Sequence, residues 1–365
     1  MDTVLQPAGA GRRLKIVIES NIPYLQGVLE PYAEVLYRES EEITPAVVRD
    51  ADALLVRTRT KCNADLLAGS SVSFVGTATI GLDHIDQKWC ADNGIETTNA
   101  PGCNAPAVAQ YVLATLAHLA NRPISQYKIG IVGVGHVGRI VEQWARGLNM
   151  DVMLCDAPRQ RAEGGDQWHT LDELAAACDV ITMHTPLTRT GQDATYHLAD
   201  SAFFGKLQRA PIFINAARGP VVDTAALIEA IDGHRVHMAV VDTWEGEPVI
   251  SRRLLERAII ATPHIAGYSL EGKMRASRMV LDKLTAHFGL PRLPLALQAA
   301  GHTRTNGTEP LTEPHGYPAE VSLSELLRSY DPHTDDALLR SDPAAFEHLR
   351  NHYALRPEPR PSRND

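Results

Sequence analysis

Short apolar runs separated by helix-length stretches dominate the N-terminal part of this chain. LKIVIES, beginning at Leu14 and closed by Asn21 and Pro23, reads as a strand; ALLV at Ala53–Val56 and VSFV at Val72–Val75 repeat the pattern, with helical stretches between. Strand alternating with helix at this spacing predicts a parallel sheet covered on both faces. From Ala105 to Asn121 the chain is apolar almost all round and too long for a strand, which predicts a buried helix leading into a second domain. Strand candidates then follow in series at Lys128–Val132, Asp151–Cys155, Val180–His184, Pro211–Asn215, His237–Val241 and Ala258–Thr262. Their alternation with helical segments predicts a doubly wound nucleotide-binding fold. The helix starting near Ser269, SLEGKMRASRMVLDKLTAHF, is expected to return and cover the first domain.

After Phe288 the pattern dissolves. Residues 289–320 are crowded with Gly, Pro, Thr and Asn and read as linker or irregular loop. Two short helical signals remain, Leu323–Tyr330 and Pro343–His352, before a polar, Pro- and Arg-rich tail from Arg356. This last segment is too small to fold alone, so a partner subunit is the surface it is expected to pack on.

Composition narrows the function. A chain of 365 residues has room for about two to three domains. Its formal charge of −9 argues against a nucleic-acid partner and requires any anionic ligand to be met by local cations. The cysteines at 62, 90, 103, 155 and 178 are odd in number and form no CxxC pair, so reduced thiols and no zinc site are expected. The N-terminus has no apolar core of the secretory kind, and no stretch approaches the ~20 apolar residues of a membrane span. A cytoplasmic protein without membrane contact is expected.

The chemistry begins at GVGHVG (133–138), which follows the strand KIGIV and precedes the helical RIVEQWARGL. Gly133, Gly135 and Gly138 allow a tight turn and close approach to a pyrophosphate, which the following helix N-terminus attracts. GxGxxG alone is a weak signal. Here the next strand, DVMLCD, ends in Asp156, close to the ~20 residues on where an acid takes the ribose hydroxyls and repels a 2′-phosphate. NAD is therefore expected over NADP, with Arg159 and Arg161 the evidence on the other side. Thr185, in MHTPLT, falls at a strand end that meets the cofactor or merely turns at Pro186. Asp242 either accepts from the nicotinamide amide or is a structural acid.

Three residues just past buried strands supply the reacting centre: Arg218 in NAARG (215–219), Glu247 in DTWEGEP (242–248) and His264 in TPHIAGYS (262–269). Oxidising a secondary alcohol needs a base for the hydroxyl proton, and imidazole suits the task. His264 sits between Pro263 and the small Ala266 and Gly267, in a tight loop. Glu247 would hold its second nitrogen, with a solvated loop acid as the rival view because Glu245 lies close by. Arg218 would clamp a carboxylate in two places, unless it serves a structural ion pair.

At these residues the chain resembles the D-isomer-specific 2-hydroxyacid dehydrogenases. FVGTATIGLDHID (74–86), APGCNAPAVAQYV (100–112), VVDTWEGEP (240–248) and HIAGYSLEGK (264–273) carry a closer likeness to a branch that acts on a phosphorylated 2-hydroxy acid. The resemblance implies an α/β chain: a Rossmann-type doubly wound NAD domain (106–268), a flavodoxin-like split substrate domain (14–105 with 269–288), and a small, shortened C-terminal dimerisation segment with a polar tail (289–365). It implies that Arg218, Glu247 and His264 form the active site. It also implies NAD contacts at Asp156, Thr185, Asp242, Gly267 and the His136–Val137 peptide, and substrate contacts at Thr58, Thr79 and Tyr268. Arg57, Arg59 and Lys61 are our own candidates for the phosphate. A homodimer is implied, and so is a 2-oxo acid acceptor that recycles tightly held NAD. Where the family commonly has an acid, this chain has Gln110, to which no function attaches. The rivals are a sister enzyme of the phosphoglycerate or hydroxypyruvate type and a non-enzymatic NAD sensor like the C-terminal-binding-protein corepressors.

Overall fold

The computed structural model describes residues 12–297 and 316–359. The N-terminal extension, much of the expected linker and the last tail residues lie outside the described residues. The chain divides into two compact units. One gathers the described residues up to Cys103 with those from Lys273 to 297; the other runs from Asn104 to Gly272 and takes in 316–359.

The first unit is built on β1 (Leu14–Glu19), β2 (Ala33–Arg38), β3 (Ala53–Val56), β4 (Phe74–Thr77) and β5 (Glu96–Thr98). All pair in parallel, in the order β2-β1-β3-β4-β5, the flavodoxin-like order. Alternation splits β1 between two cores: Ile16 and Ile18 face one, Val17 the other. The helix Leu270–His287 covers the first of these, with Val280, Leu281 and Leu284 fully buried. That is the covering role its sequence predicts.

The second unit carries β6 (Lys128–Val132), β7 (Asp151–Cys155), β8 (Val180–Met183), β9 (Ile212–Asn215), β10 (Met238–Val241) and β11 (Ile260–Ala261). The parallel order is β11-β10-β9-β8-β6-β7. From β6 the chain steps outward to β7 and then back across to β8. The order therefore reverses between β6 and β8, and ligands of such sheets bind beyond the strand ends at that switch. The helix Ala105–Leu119 lies against this sheet and is buried almost throughout, as its all-round apolar sequence requires.

The C-terminal segment packs on the second unit of its own chain. Val321, Leu326 and Tyr330 join the core that holds Ala105–Leu119, while Leu339 and Phe346 join the core on the other sheet face. Polar ties accompany them: the Trp144 indole donates to Pro318 O at 2.8 Å, and Asp336 accepts from Ala261 N at 2.7 Å. A further helix, Pro332–Ser341, lies where no helical signal was read. The described start of the tail, residues 356–359, is not solvated as its polarity implies. Arg356 is 7 % exposed and Glu358 6 %, and residue 356 bridges in parallel to Ser269. Among the described residues no helix is long and apolar enough to cross a membrane.

Candidate active site

Three adjacent parallel strands, β9, β10 and β11, end side by side, and the loops beyond them carry Arg218, Glu247 and His264. Gly219 lets the first two loops touch. A Cβ there would fall 1.9 Å from the Trp244 carbonyl oxygen, so any side chain would force the β9 and β10 loops apart. The Trp244 indole in turn donates to Thr262 O at 2.9 Å and ties the β10 loop to the end of β11.

His264 Nδ1 meets Glu247 Oε1 at 2.6 Å, and both side chains are about three-quarters buried. The second Glu247 oxygen accepts from Trp244 N at 3.2 Å. Burial pushes the Glu247 carboxyl up. The hydrogen bond and charge of His264, the Trp244 N–H and the charge of Arg350 outweigh it and leave the group below its ordinary value of 4.5. Glu245 is engaged elsewhere, with His197 Nε2 at 2.6 Å and Thr224 N at 3.3 Å. That separates the two acids that sequence spacing leaves equivalent. Arg218 is partly buried, donates to Ala217 O at 2.8 Å, and forms no ion pair among the described residues. The structural-ion-pair alternative has no partner here, and the guanidinium is left for a ligand.

Asp242 lies under the His264 loop. Its oxygens accept from Thr262 Oγ1 at 2.7 Å, Ile265 N at 2.8 Å and Ala266 N at 3.1 Å. Burial holds its carboxyl above the usual range despite His264 and these donors. The residue holds this loop in place, and one of its oxygens carries a single partner and is open to another donor. By contrast, His184 is held down to about 3 by burial and stays neutral, a core histidine rather than an acid–base group.

A lowered carboxylate contributes its stability above the unfolded value and loses it as pH falls through the native one. Glu247→Gln is therefore expected to destabilise fully above about pH 4.5 and progressively less below it, since a protonated Glu247 resembles glutamine. Urea titrations of both proteins at stepped pH check this. A penalty constant down to strongly acid pH would show that the charge is not what the site uses.

At the β6–β8 switch, Gly133 adopts φ 87° and a Cβ on Gly138 would lie 2.2 Å from Gly133 O. The turn therefore needs glycine at both ends, and it leaves Gly135 and His136 exposed and Val137 partly so at the start of the helix His136–Gly147. Asp156 ends the next strand, accepts from Val134 N at 2.8 Å and caps its own helix through Arg159 N at 3.1 Å. The two arginines that pointed toward a 2′-phosphate are occupied: Arg159 Nε bonds Glu163 at 2.7 Å, and Arg161 pairs with Asp193. Thr185 Oγ1 is buried with no protein partner, which fits an atom left for a ligand. These residues suit a dinucleotide.

Gly267 and Tyr268 lie three and four residues after His264 and are partly exposed. Thr58 and Thr79 belong to the first unit, in the loops after β3 and β4. Thr58 is exposed; Thr79 Oγ1 lies 2.7 Å from Thr77 Oγ1. Buried Glu19 accepts from Arg57 N at 2.7 Å and Thr60 Oγ1 at 3.1 Å, fixing the Thr58 loop. Of the proposed phosphate cations there, Arg59 lies 3.8 Å from Glu41 in an exposed pair.

The sequence does not single out Arg350. FEHLRN reads as an ordinary amphipathic helix, yet this arginine comes within hydrogen-bonding reach of Tyr268 and its charge helps to lower the Glu247 carboxyl. A lone arginine on a mostly polar helix gives no signal that spacing can detect.

The D-isomer specific 2-hydroxyacid dehydrogenase NAD binding domain matches residues 108–266. An erythronate-4-phosphate dehydrogenase of Bacteroides thetaiotaomicron is 45% identical over 349 residues, covering 94% of this chain and 97% of that protein. One of Edwardsiella ictaluri is 41% identical, covering 94% and 93%. Among solved structures, D-lactate dehydrogenase from Aquifex aeolicus, complexed with NAD and lactic acid, shares the fold at 22% identity. Its TM-score is 0.62, over 75% of this chain and 95% of that one.

Proposed function

The chain belongs to the erythronate-4-phosphate dehydrogenases within the D-isomer-specific 2-hydroxyacid dehydrogenases, and from that premise we propose how its residues share out the reaction. The protein is an NAD-dependent oxidoreductase acting on a CH–OH group. It oxidises 4-phospho-D-erythronate at C2 to 3-hydroxy-2-oxo-4-phosphooxybutanoate, a step of pyridoxal phosphate biosynthesis.

NAD, when bound, supplies the hydride acceptor. Arg218 holds the substrate carboxylate through its planar fork and polarises the adjacent C2 centre. His264 Nε2 takes the hydroxyl proton, because Nδ1 is committed to Glu247. Glu247 fixes that tautomer and stabilises the imidazolium once formed. The Gly133–Gly138 turn and the His136–Val137 peptide would hold the pyrophosphate, Asp156 the ribose and Asp242 the nicotinamide amide, with Thr185 and Gly267 as further contacts. Thr58, Thr79 and Tyr268 contact the substrate. A cytoplasmic homodimer that recycles its NAD with a 2-oxo acid completes the reading.

The observation that carries this reading is the His264–Glu247 contact at 2.6 Å beside an arginine with no acid partner. The test is turnover of 4-phosphoerythronate with 2-oxoglutarate as acceptor and 3-phosphoglycerate in parallel. Product from phosphoerythronate is expected. Turnover of phosphoglycerate alone would sink the substrate and keep the mechanism.

A further inference from the structure

Arg350 is a partly buried arginine whose needs the protein does not meet. Its Nε is buried with no hydrogen-bond partner, and among the described residues it forms no ion pair. A guanidinium withdrawn from water without a carboxylate or a full set of acceptors is costly. Arg356, nearby in sequence, shows the usual remedy, donating to five protein oxygens. Arg350 instead reaches the Tyr268 side chain, and its charge acts on Glu247, the acid that holds His264. Burial opposes its charge, but Tyr268, Glu247 and Asp242 hold it protonated more firmly than an ordinary arginine.

The substrate brings two anionic groups, a carboxylate and a phosphate. The second unit offers two partly buried guanidiniums without acid partners, Arg218 and Arg350. We propose that Arg350 is a specificity-determining residue that binds the substrate phosphate while Arg218 binds the carboxylate. The proposal rests on the reading of the function above and adds to it. It gives the C-terminal segment a direct part in the site of its own chain: the helix Phe346–Asn351 delivers the cation, and Tyr268 orients it. A hydroxy acid without the phosphate would leave Arg350 unpaired, so the residue selects against such acids as well as for the substrate.

Arg350→Met is expected to raise KM for 4-phosphoerythronate about 10- to 100-fold, the worth of a charge-assisted hydrogen bond, with kcat within a few-fold. Inorganic phosphate should lose its competitive inhibition and its thermal stabilisation of the NAD-bound protein to the same degree. Oxalate, a carboxylate probe, should keep both effects, and Arg350→Lys should recover part of the phosphate affinity. Unchanged phosphate binding in Arg350→Met overturns the assignment, as does an equal loss of phosphate and oxalate. A fall in melting point and NAD affinity in both variants, with phosphate binding intact, makes the residue structural and overturns it too. If the wild type turned over no phosphorylated acid, the function above would fail, while the phosphate melting shift would still report on Arg350.

Discussion

Replacing His264 with asparagine is expected to lower turnover about 10³-fold while NAD affinity stays within a few-fold. The size follows from the role. General acid–base catalysis by a positioned imidazole is worth roughly 10²–10⁴-fold, and no other described side chain of this loop can move a proton near neutral pH. Asparagine is the chosen replacement because His264 has φ 57°, in the left-handed region that asparagine tolerates better than most residues. The backbone bonds from His264 N to Asp242 O at 2.9 Å and from Ile265 N to the Asp242 carboxylate should therefore survive. NAD affinity should hold because most of its contacts, the Gly133–Gly138 turn, Asp156 and Thr185, stand on other strand ends, and the retained backbone bonds keep Asp242 and Gly267 in place. Steady-state turnover with an acceptor present, set against NADH fluorescence titration, separates the two quantities. An equal loss in both would show that His264 supports the loop and does not act on the substrate.

What the sequence revealed and what it hid divide along burial. Strands β1, β3, β6 and β8 to β10 are legible because they are short, largely buried apolar runs, and the edge strand β7 keeps enough apolar residues, Val152, Met153 and Leu154, to be read with them. The two unpredicted strands, β2 and β5, are the edges of the first sheet. AEVLYR carries Glu34 and Arg38 and is only partly buried, and ETT has no apolar residue. An edge strand needs only one paired side, so its pattern sinks into that of a loop. Strand β4 begins two residues later than the run VSFV implies, because pairing with β3 rather than hydrophobicity sets its start. The triad could be read from strand-end loops, since Pro, Gly and a reactive residue coincide there. Arg350 could not, because its importance arises only when a helix late in the chain returns to Tyr268. Gln110, which has no evident role in sequence, accepts from Arg356 Nε at 3.1 Å and donates to Pro357 O at 3.0 Å. It is the inner anchor of the tail.

Arg356→Met is the substitution expected to cost the most stability, about 3–5 kcal/mol, which for a protein of this size lowers the melting point by roughly 10 °C. The guanidinium donates to Ala107 O and Ile265 O, both at 3.1 Å, to Ala266 O, and to Gln110. The Tyr330 ring lies against it, with the ring centroid 4.4 Å from Cζ. Methionine fills the volume but leaves those buried acceptors without donors, each costing about 1–3 kcal/mol. The consequence reaches the chemistry through two peptides. Residues 265 and 266 give their N–H groups to Asp242 and their carbonyls to Arg356, so the stretch just after His264 is held from both sides. Without Arg356 the loop keeps only the Asp242 side, and a shift of about 1 Å in the imidazole is worth up to 10²-fold in rate. The variant should thus melt early and, at a temperature where it is still folded, turn over more slowly with KM little changed. A normal melting point would mean that the tail does not dock on this loop in solution. Early melting with full turnover would mean that it docks for stability alone, because Asp242 would then suffice to aim His264.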